Sequence, residues 1–487
     1  MPINSPQLSP THKYILILSF IVVVTGACGG ALYSYGTSQK LPAQFQVAGW
    51  KAGGLSYTQF EQQLTRQLKL YENLEVRLES SDPEVAGKIL SLADLGVVFH
   101  REQLDQAVQS LFHGSIQDRI AARWASRHAE LPLLISIDPD KLNAAVKQNW
   151  KELYDRQPVA ARRVVNPDDS IRFAPERAVP RLDTITLRKE LEARIPPVTG
   201  VLSKPTPLKI SIPIYMQQPS VTVDSLKKQG IERKIADFTT TFPLSGTGRI
   251  HNIRSTATSI QDMMLAPGET FDYSKIIEKT EAQFGYQEAP VIFNGKLVPG
   301  IGGGICQVSS TLYNAVLRSG LEIVERRNHS LPVSYVPLGQ DATFASGYIN
   351  FKFRNNTGAY LLIRAVTTDR DVTVKLFGRL PATDTYDIES KIVETIQPTI
   401  KYLHNPALPP GSTKPIAQGK EGYVVETYRY KKVSGTVVSK ERISKDRYAA
   451  VPTLVASNRS DIKPEDGNQS ENGSPILEDG VKGPSFR

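Results

Sequence analysis

Cys306, His329 and Asp341 are the residues of this 487-residue chain whose types and order fit nucleophilic chemistry. Cys306 closes the run PGIGGGIC (residues 299–306) and opens a helical pattern, CQVSSTLYNAVLRSG. A thiol at a helix N-terminus, reached through a glycine-rich turn, meets unpaired backbone N–H groups and the positive end of the helix dipole, which favour the thiolate. His329 lies 23 residues on and Asp341 another 12 beyond it, both in segments that read as turns and strands. In a thiol enzyme so ordered, the histidine accepts the thiol proton and returns it to a leaving amine, while the carboxylate fixes the imidazole tautomer. The Cys306 backbone N–H and the Gln307 side chain are the candidate oxyanion donors. Each residue also has a plainer reading: Cys306 as a buried small hydrophobe, His329 as a satisfied structural histidine, Asp341 as an acceptor for N–H groups of its glycine turn.

Other chemistries fit less well. A metal site made of Cys306, His329 and Asp341 lacks a CxxC or HxxH pair, so no metal or other cofactor is expected. Gly302, Gly303 and Gly304 invite a phosphate-loop reading, yet no Gly-Lys-Ser/Thr follows; they remain candidate ligand-binding residues. Arg326 and Arg327 put positive charge beside His329, suited to lowering a thiol pKa, binding a peptide carboxylate, or facing solvent.

The elements that must position these residues are partly visible. Val308, Leu312, Ala315 and Val316 form a buried stripe on the Cys306 helix, which turns Ser309, Ser310 and Tyr313 toward other faces. Upstream, residues 14–33 read YILILSFIVVVTGACGGALY, without a charge between Lys13 and Lys40. That length matches a bilayer's hydrocarbon thickness, so residues 14–35 are a membrane anchor, a cleaved export signal or, with Cys28 acylated, a lipoprotein leader. The short arm 1–13 holds positive charge and no acid, which places it in the cytoplasm and the bulk of the chain outside. Cys306 then has no intrachain disulfide partner outside the cell. The net charge of +9 comes without a dense Lys/Arg block, so nucleic acid is not an expected partner.

Between residues 45 and 225 lie amphipathic units that read as two weakly similar strand-and-helix modules. Ser56 to Gln59 forms a capping box before Phe60, Leu64 and Leu68; a second helix carries Leu104, Val108, Leu111 and Phe112; Asp138-Pro139 starts a third with Leu142, Val146 and Trp150. Residues 195–219, rich in proline and containing KISIPIY, suggest an extended linker with an edge strand. Alternating strands such as GYVVETYRY predict an antiparallel β module over 385–455. Residues 457–487 are polar and aromatic-poor, as in a disordered tail.

Motif density peaks over 238–375. The PGETF turn at 267–271, the GGGICQVSSTLYNA run at 302–315 and the ERRNHSLPVSYVPLGQDAT run at 325–343 closely resemble the VanW family of bacterial envelope proteins. The resemblance marks Asn252 as a candidate binding residue, and Arg326 is another by its charge. It also implies that 45–225 are peptidoglycan-binding-like modules and that 385–455 is a G-five-type module. The expected fold is therefore α+β and multidomain: a transmembrane helix, strand-helix modules, a central VanW-like domain and a C-terminal β module. The expected setting is the cell membrane, single-pass, with the bulk extracytoplasmic and peptidoglycan or another wall polymer as partner. Two functions stand side by side: thiol-dependent hydrolysis or acyl transfer on peptidoglycan peptides, and non-catalytic wall binding or scaffolding.

Overall fold

A computed structural model describes residues 10–196, 206–242, 245–293, 296–459 and 476–483. The arm over 1–9, and residues 460–475 and 484–487 of the tail, lie outside the described residues. The chain divides into two compact units, residues 1–160 with 176–220, and residues 161–175 with 221–487.

In the first unit the helix Pro10–Thr37 exposes Leu16, Phe20 and Val23 and buries no apolar stripe. Among the described residues it is the helix long and apolar enough to cross a membrane, which fits a span or an export signal. Cys28 is exposed on it. Helix Tyr57–Glu72 starts at the expected capping box of Ser56 and Gln59 and buries Phe60, Leu64 and Leu68. Glu102–Phe112 buries Leu104, Val108 and Leu111, and Asp138 caps Pro139–Asn149. The helix Ile116–Ala125 escapes the sequence reading because its inward face carries a charge instead of an apolar stripe. Arg123 is buried there, its guanidinium donating to the carbonyls of Ser38, Leu111 and Lys40.

The linker expected over 195–219 is corrected where it is described. Leu208–Ser211 is the expected edge strand, parallel to Glu75–Glu79, and Ile214–Gln217 pairs antiparallel with Val179–Leu182. Ile210 and Ile212 are buried among the apolar residues of the same core, so the alternating segment is held as part of the unit.

The second unit is built around a helix. A four-stranded antiparallel sheet, in the order Arg233–Thr241, Asp371–Gly378, Leu361–Thr367 and Met263–Leu265, packs against the helices Thr247–Ile260 and Ile305–Leu317. Every residue of Ile305–Leu317 is buried. The one-sided stripe expected there is therefore corrected: Ser309, Ser310 and Tyr313 face protein, and the serine, threonine and asparagine side chains survive inside because each finds backbone. Ser309 Oγ donates to the Ala342 carbonyl (2.6 Å), Thr311 Oγ1 to that of Gln307 (2.6 Å), and Asn314 Nδ2 to those of Ser310 (2.8 Å) and Gln340 (2.7 Å). Tyr313 packs edge-on to Phe351.

Farther along, Asp384–Ile396, Gly422–Val433 and Thr436–Tyr448 form one antiparallel sheet. The expected all-antiparallel module is corrected in a second, mixed sheet, where Thr453–Ser457 runs parallel to Ile400–His404 and antiparallel to Thr413–Ala417. The tail expected to be disordered is corrected for 476–483. Leu477–Glu478 adds a third strand to the hairpin of Glu288–Phe293 and Lys296–Ile301, because that hairpin's free edge offers unpaired backbone groups.

Truncating Asn314 to Ala should lower the unfolding free energy by about 2 kcal/mol, since it strips the donor from two buried carbonyls. Chemical denaturation of the variant beside the parent measures this; a change below a few tenths would mean the buried amide contributes nothing net.

Candidate functional site

The glycine turn delivers the helix start into the core. Gly302 and Gly304 have φ of +98° and +106°, in the left-handed region that glycine tolerates, and Gly304 is the helix N-cap. A Cβ on Gly303 would lie 2.3 Å from the Pro290 carbonyl oxygen, so the turn is pressed against the neighbouring hairpin. Asn252 holds that contact: its Nδ2 donates to the Gln287 and Gly303 carbonyls (3.0 Å each), and its Oδ1 accepts the Gln287 N–H (2.8 Å). Asn252 thus has its amide committed within the fold, where the family resemblance suggested ligand contact.

Cys306 is fully buried. Its thiol donates to the Phe344 carbonyl (3.6 Å), and its sulfur accepts the Phe344 N–H (3.0 Å). The expectation of a thiolate favoured by the helix N-terminus is overturned. Burial, with the Asp479 carboxylate adding to it, pushes the thiol pKa well above its usual range. The anion at the helix start is instead Asp479 itself, whose Oδ1 accepts the N–H groups of Gly304 (3.1 Å) and Cys306 (2.7 Å) while Oδ2 faces Arg249 Nη1 (3.3 Å).

Gln307 is likewise engaged. Its Nε2 donates to Thr240 Oγ1 (3.1 Å) and to the Thr241 carbonyl (2.9 Å), and its Oε1 accepts from Arg249 Nη2 (3.0 Å). Both N–H groups anticipated as oxyanion donors, that of Cys306 and the amide of Gln307, already have acceptors.

His329 and Asp341 do come together. His329 Nδ1–H and the His329 backbone N–H both donate to Asp341 Oδ2 (2.7 Å each), and both side chains are buried. Asp341 Oδ1 accepts from the Tyr448 hydroxyl (2.5 Å) and lies 3.2 Å from Arg326 Nη2. His329 Nε2 is buried without a partner, and so is the Tyr335 hydroxyl. No hydrogen bond joins the Cys306 sulfur to the imidazole among the described residues.

The expectation of Arg326 as a ligand-binding or thiol-activating charge is corrected. It is buried, with Nη1 donating to both Asp446 oxygens (2.6 and 2.7 Å) and Nε to the Asp341 carbonyl (2.6 Å). Burial disfavours its charge, but Tyr313, Asp341 and Asp446 outweigh that and raise its pKa. Asp446, Tyr448 and Asp479 were missed by sequence reasoning, because they stand over 100 residues from the motif and no spacing rule links them. The weak signal for Asp479 was the apolar flanking of ILEDGV (476–481) within an otherwise polar tail.

Residues 248–377 match the family described as VanW like protein, and residues 388–457 match the G5 domain. The chain is 34% identical over 248 residues to the uncharacterized protein YoaR of Bacillus subtilis, covering 51% of this chain and 78% of that protein. It is 27% identical over 154 residues to the vancomycin B-type resistance protein VanW of Enterococcus faecalis, covering 31% and 56%. Among solved structures, an IgA1 protease G5 domain is 28% identical over 15% of this chain and 87% of its own, with a TM-score of 0.13.

Burial alone would raise the Asp341 pKa, but the hydrogen bond and charge of His329 and the charge of Arg326 hold it down to about 2. For His329, burial acts downward and is outweighed by Asp341, Asp479 and Glu478, so its pKa is raised. The carboxylate's contribution to stability is complete above the ordinary carboxyl range and is lost as pH falls toward about 2. The imidazole's contribution is complete below the ordinary histidine value and is lost as pH rises through the raised one. Asp341→Asn should therefore cost about 3 kcal/mol at pH 6. It should also show a smaller loss of stability between about pH 6 and 9 than the parent. Denaturant titrations at the two pH values check this, and parallel pH dependence in the two proteins would remove the pair as the cause.

Proposed function

Because this chain belongs to the family of VanW-like proteins and carries a G5 domain, we propose that it works at the bacterial cell wall as a non-catalytic binder of wall polymer. The observation that carries the choice over thiol catalysis is the placement of Cys306: fully buried, with its sulfur bonded to the Phe344 backbone. A nucleophile needs an exposed sulfur, a base in contact with it and free oxyanion donors; here the sulfur is buried and bonded to the Phe344 backbone instead of the imidazole, and both donors already have acceptors.

A place for the polymer lies elsewhere on the second unit. A cavity of about 650 Å³ is lined by Arg162, Arg163, Arg172 and Arg364, with Met264 and Leu362. Arg162 and Arg172 are exposed at it, while Arg364 pairs with Asp262 (2.8 Å). Exposed guanidiniums around a concavity suit the phosphates or carboxylates of an anionic wall polymer. The apolar helix Pro10–Thr37 supports tethering at the membrane, and the peptidoglycan-binding label for residues 45–225 remains part of this proposal.

Thiol-dependent hydrolysis or acyl transfer on peptidoglycan peptides is the second reading. It is favoured by the buried His329–Asp341 pair, whose Nε2 has no partner, with Cys306 as nucleophile and Gln307 as donor once rearranged.

On purified sacculi, Arg162→Glu with Arg172→Glu should cut retention at least about fivefold, more strongly at low salt, while Cys306→Ala leaves retention unchanged. Undiminished retention of the double variant would sink the cavity as the polymer site. Release of wall peptides by the parent that disappears in Cys306→Ala would replace binding with the thiol reading.

A further inference from the structure

The segment 476–483 is held the way a peptide ligand is held. Leu477 and Glu478 pair antiparallel with Phe293 and Ile292, and the Val481 N–H donates to the Ile301 carbonyl (2.9 Å). On its other side the Asp479 N–H donates to the Phe344 carbonyl (3.3 Å), and Gly480 bridges Ala345. These are main-chain contacts, which accept almost any sequence.

Its side-chain anchors are acids. Glu478 Oε2 accepts the N–H and the hydroxyl of Ser330 (3.0 Å each), and Asp479 fills the Gly304–Cys306 amides beside Arg249. The wall of the groove is shaped for a passing backbone. A Cβ on Gly300 would stand 3.0 Å from the Lys482 carbonyl oxygen, and one on Gly302 would stand 3.1 Å from the Val481 nitrogen.

The fit is incomplete in two respects. Asp479 sits at φ +57°, the left-handed region that costs a non-glycine residue. His329 Nε2 and the Tyr335 hydroxyl, both in the field of Asp479, are buried without hydrogen bonds. Buried polar groups in native interiors are matched, as a rule, by protein, by ordered water or by a bound ligand, and a peptide backbone offers such partners.

We propose that residues 476–483 occupy, in cis, a groove built to take an extended, carboxylate-bearing peptide from another molecule, whose acid replaces Asp479 and whose backbone meets His329 and Tyr335. The proposal deepens the binding reading but uses a different surface from the arginine cavity, so sacculus retention and peptide exchange fail independently.

The test is made in the full chain with Cys28→Ser, so that thiol labelling reports Cys306 alone. The parent should label slowly. With Glu478→Ala and Asp479→Ala labelling should rise at least about tenfold, because the cover over the helix start is released. A synthetic peptide of residues 473–483 should restore protection and, fluorescently tagged, should bind this variant saturably. The same peptide with Glu478→Gln and Asp479→Asn should need at least about tenfold higher concentration. Unchanged labelling, or failure of the peptide to restore protection, overturns the proposal.

A protease site placed within residues 460–475 repeats the comparison without altering the segment. After cutting, tagged peptide should exchange into a chain that keeps its native near-UV spectrum. Absence of exchange, or loss of the native spectrum on cutting, overturns the proposal, since an exchangeable occupant leaves its groove folded.

Discussion

The Arg326 guanidinium is buried between two carboxylates, Asp341 of the VanW-like domain and Asp446 of the G5 domain. A charge taken out of water is tolerated when its partners and their geometry compensate for desolvation, and removing one partner leaves a costly remainder. Here the compensation crosses a domain boundary, and the ring of Tyr313 adds its face 5.1 Å from the guanidinium carbon. Tyr448, also from the G5 domain, donates to Asp341 and accepts the Gly339 N–H (2.7 Å). The two domains fall into one compact unit in which neither side of this network is satisfied alone.

From that network the rest of the site follows in order. Asp341, fixed from both sides, orients His329 through two hydrogen bonds. The stretch after it lays the backbone of Ala342 and Phe344 across the buried helix, where Ser309, Ser310 and the Cys306 sulfur receive it. Cys306 is therefore part of the joint between helix and loop. The field at a helix N-terminus favours whichever anion reaches it, and a carboxylate that brings its charge already formed prevails over a thiol that must ionise in a dry interior. Asp479 does so in this chain, and its presence further disfavours ionisation of the sulfur.

Local structure was legible wherever it depends on neighbours in sequence. The capping box at Ser56, the apolar stripes of Tyr57–Glu72 and Glu102–Phe112, and the start at Asp138 read directly because they depend on side chains two to four residues apart. Ile116–Ala125 did not, since a buried arginine stands where the pattern wants an apolar residue. The Cys306 helix misled in the other direction: Ser309, Ser310 and Tyr313 read as turned away from the buried face until the segments that cover them are placed.

The amino-acid sequence by itself determined the family signature, the apolar N-terminal helix, the β character of the C-terminal domain and the pairing of His329 with Asp341 as a plausible chemical couple. Only the tertiary structure decided what surrounds them. The burial of Cys306, the engagement of Gln307, Asn252 and Arg326, and the arrival of Asp479 at the helix start are contacts between segments separated by tens to more than 170 residues. Residue type and spacing encode the donors and acceptors, but which of them meet is set by chain crossings that bring the burial of one group and the charge of another to the same point.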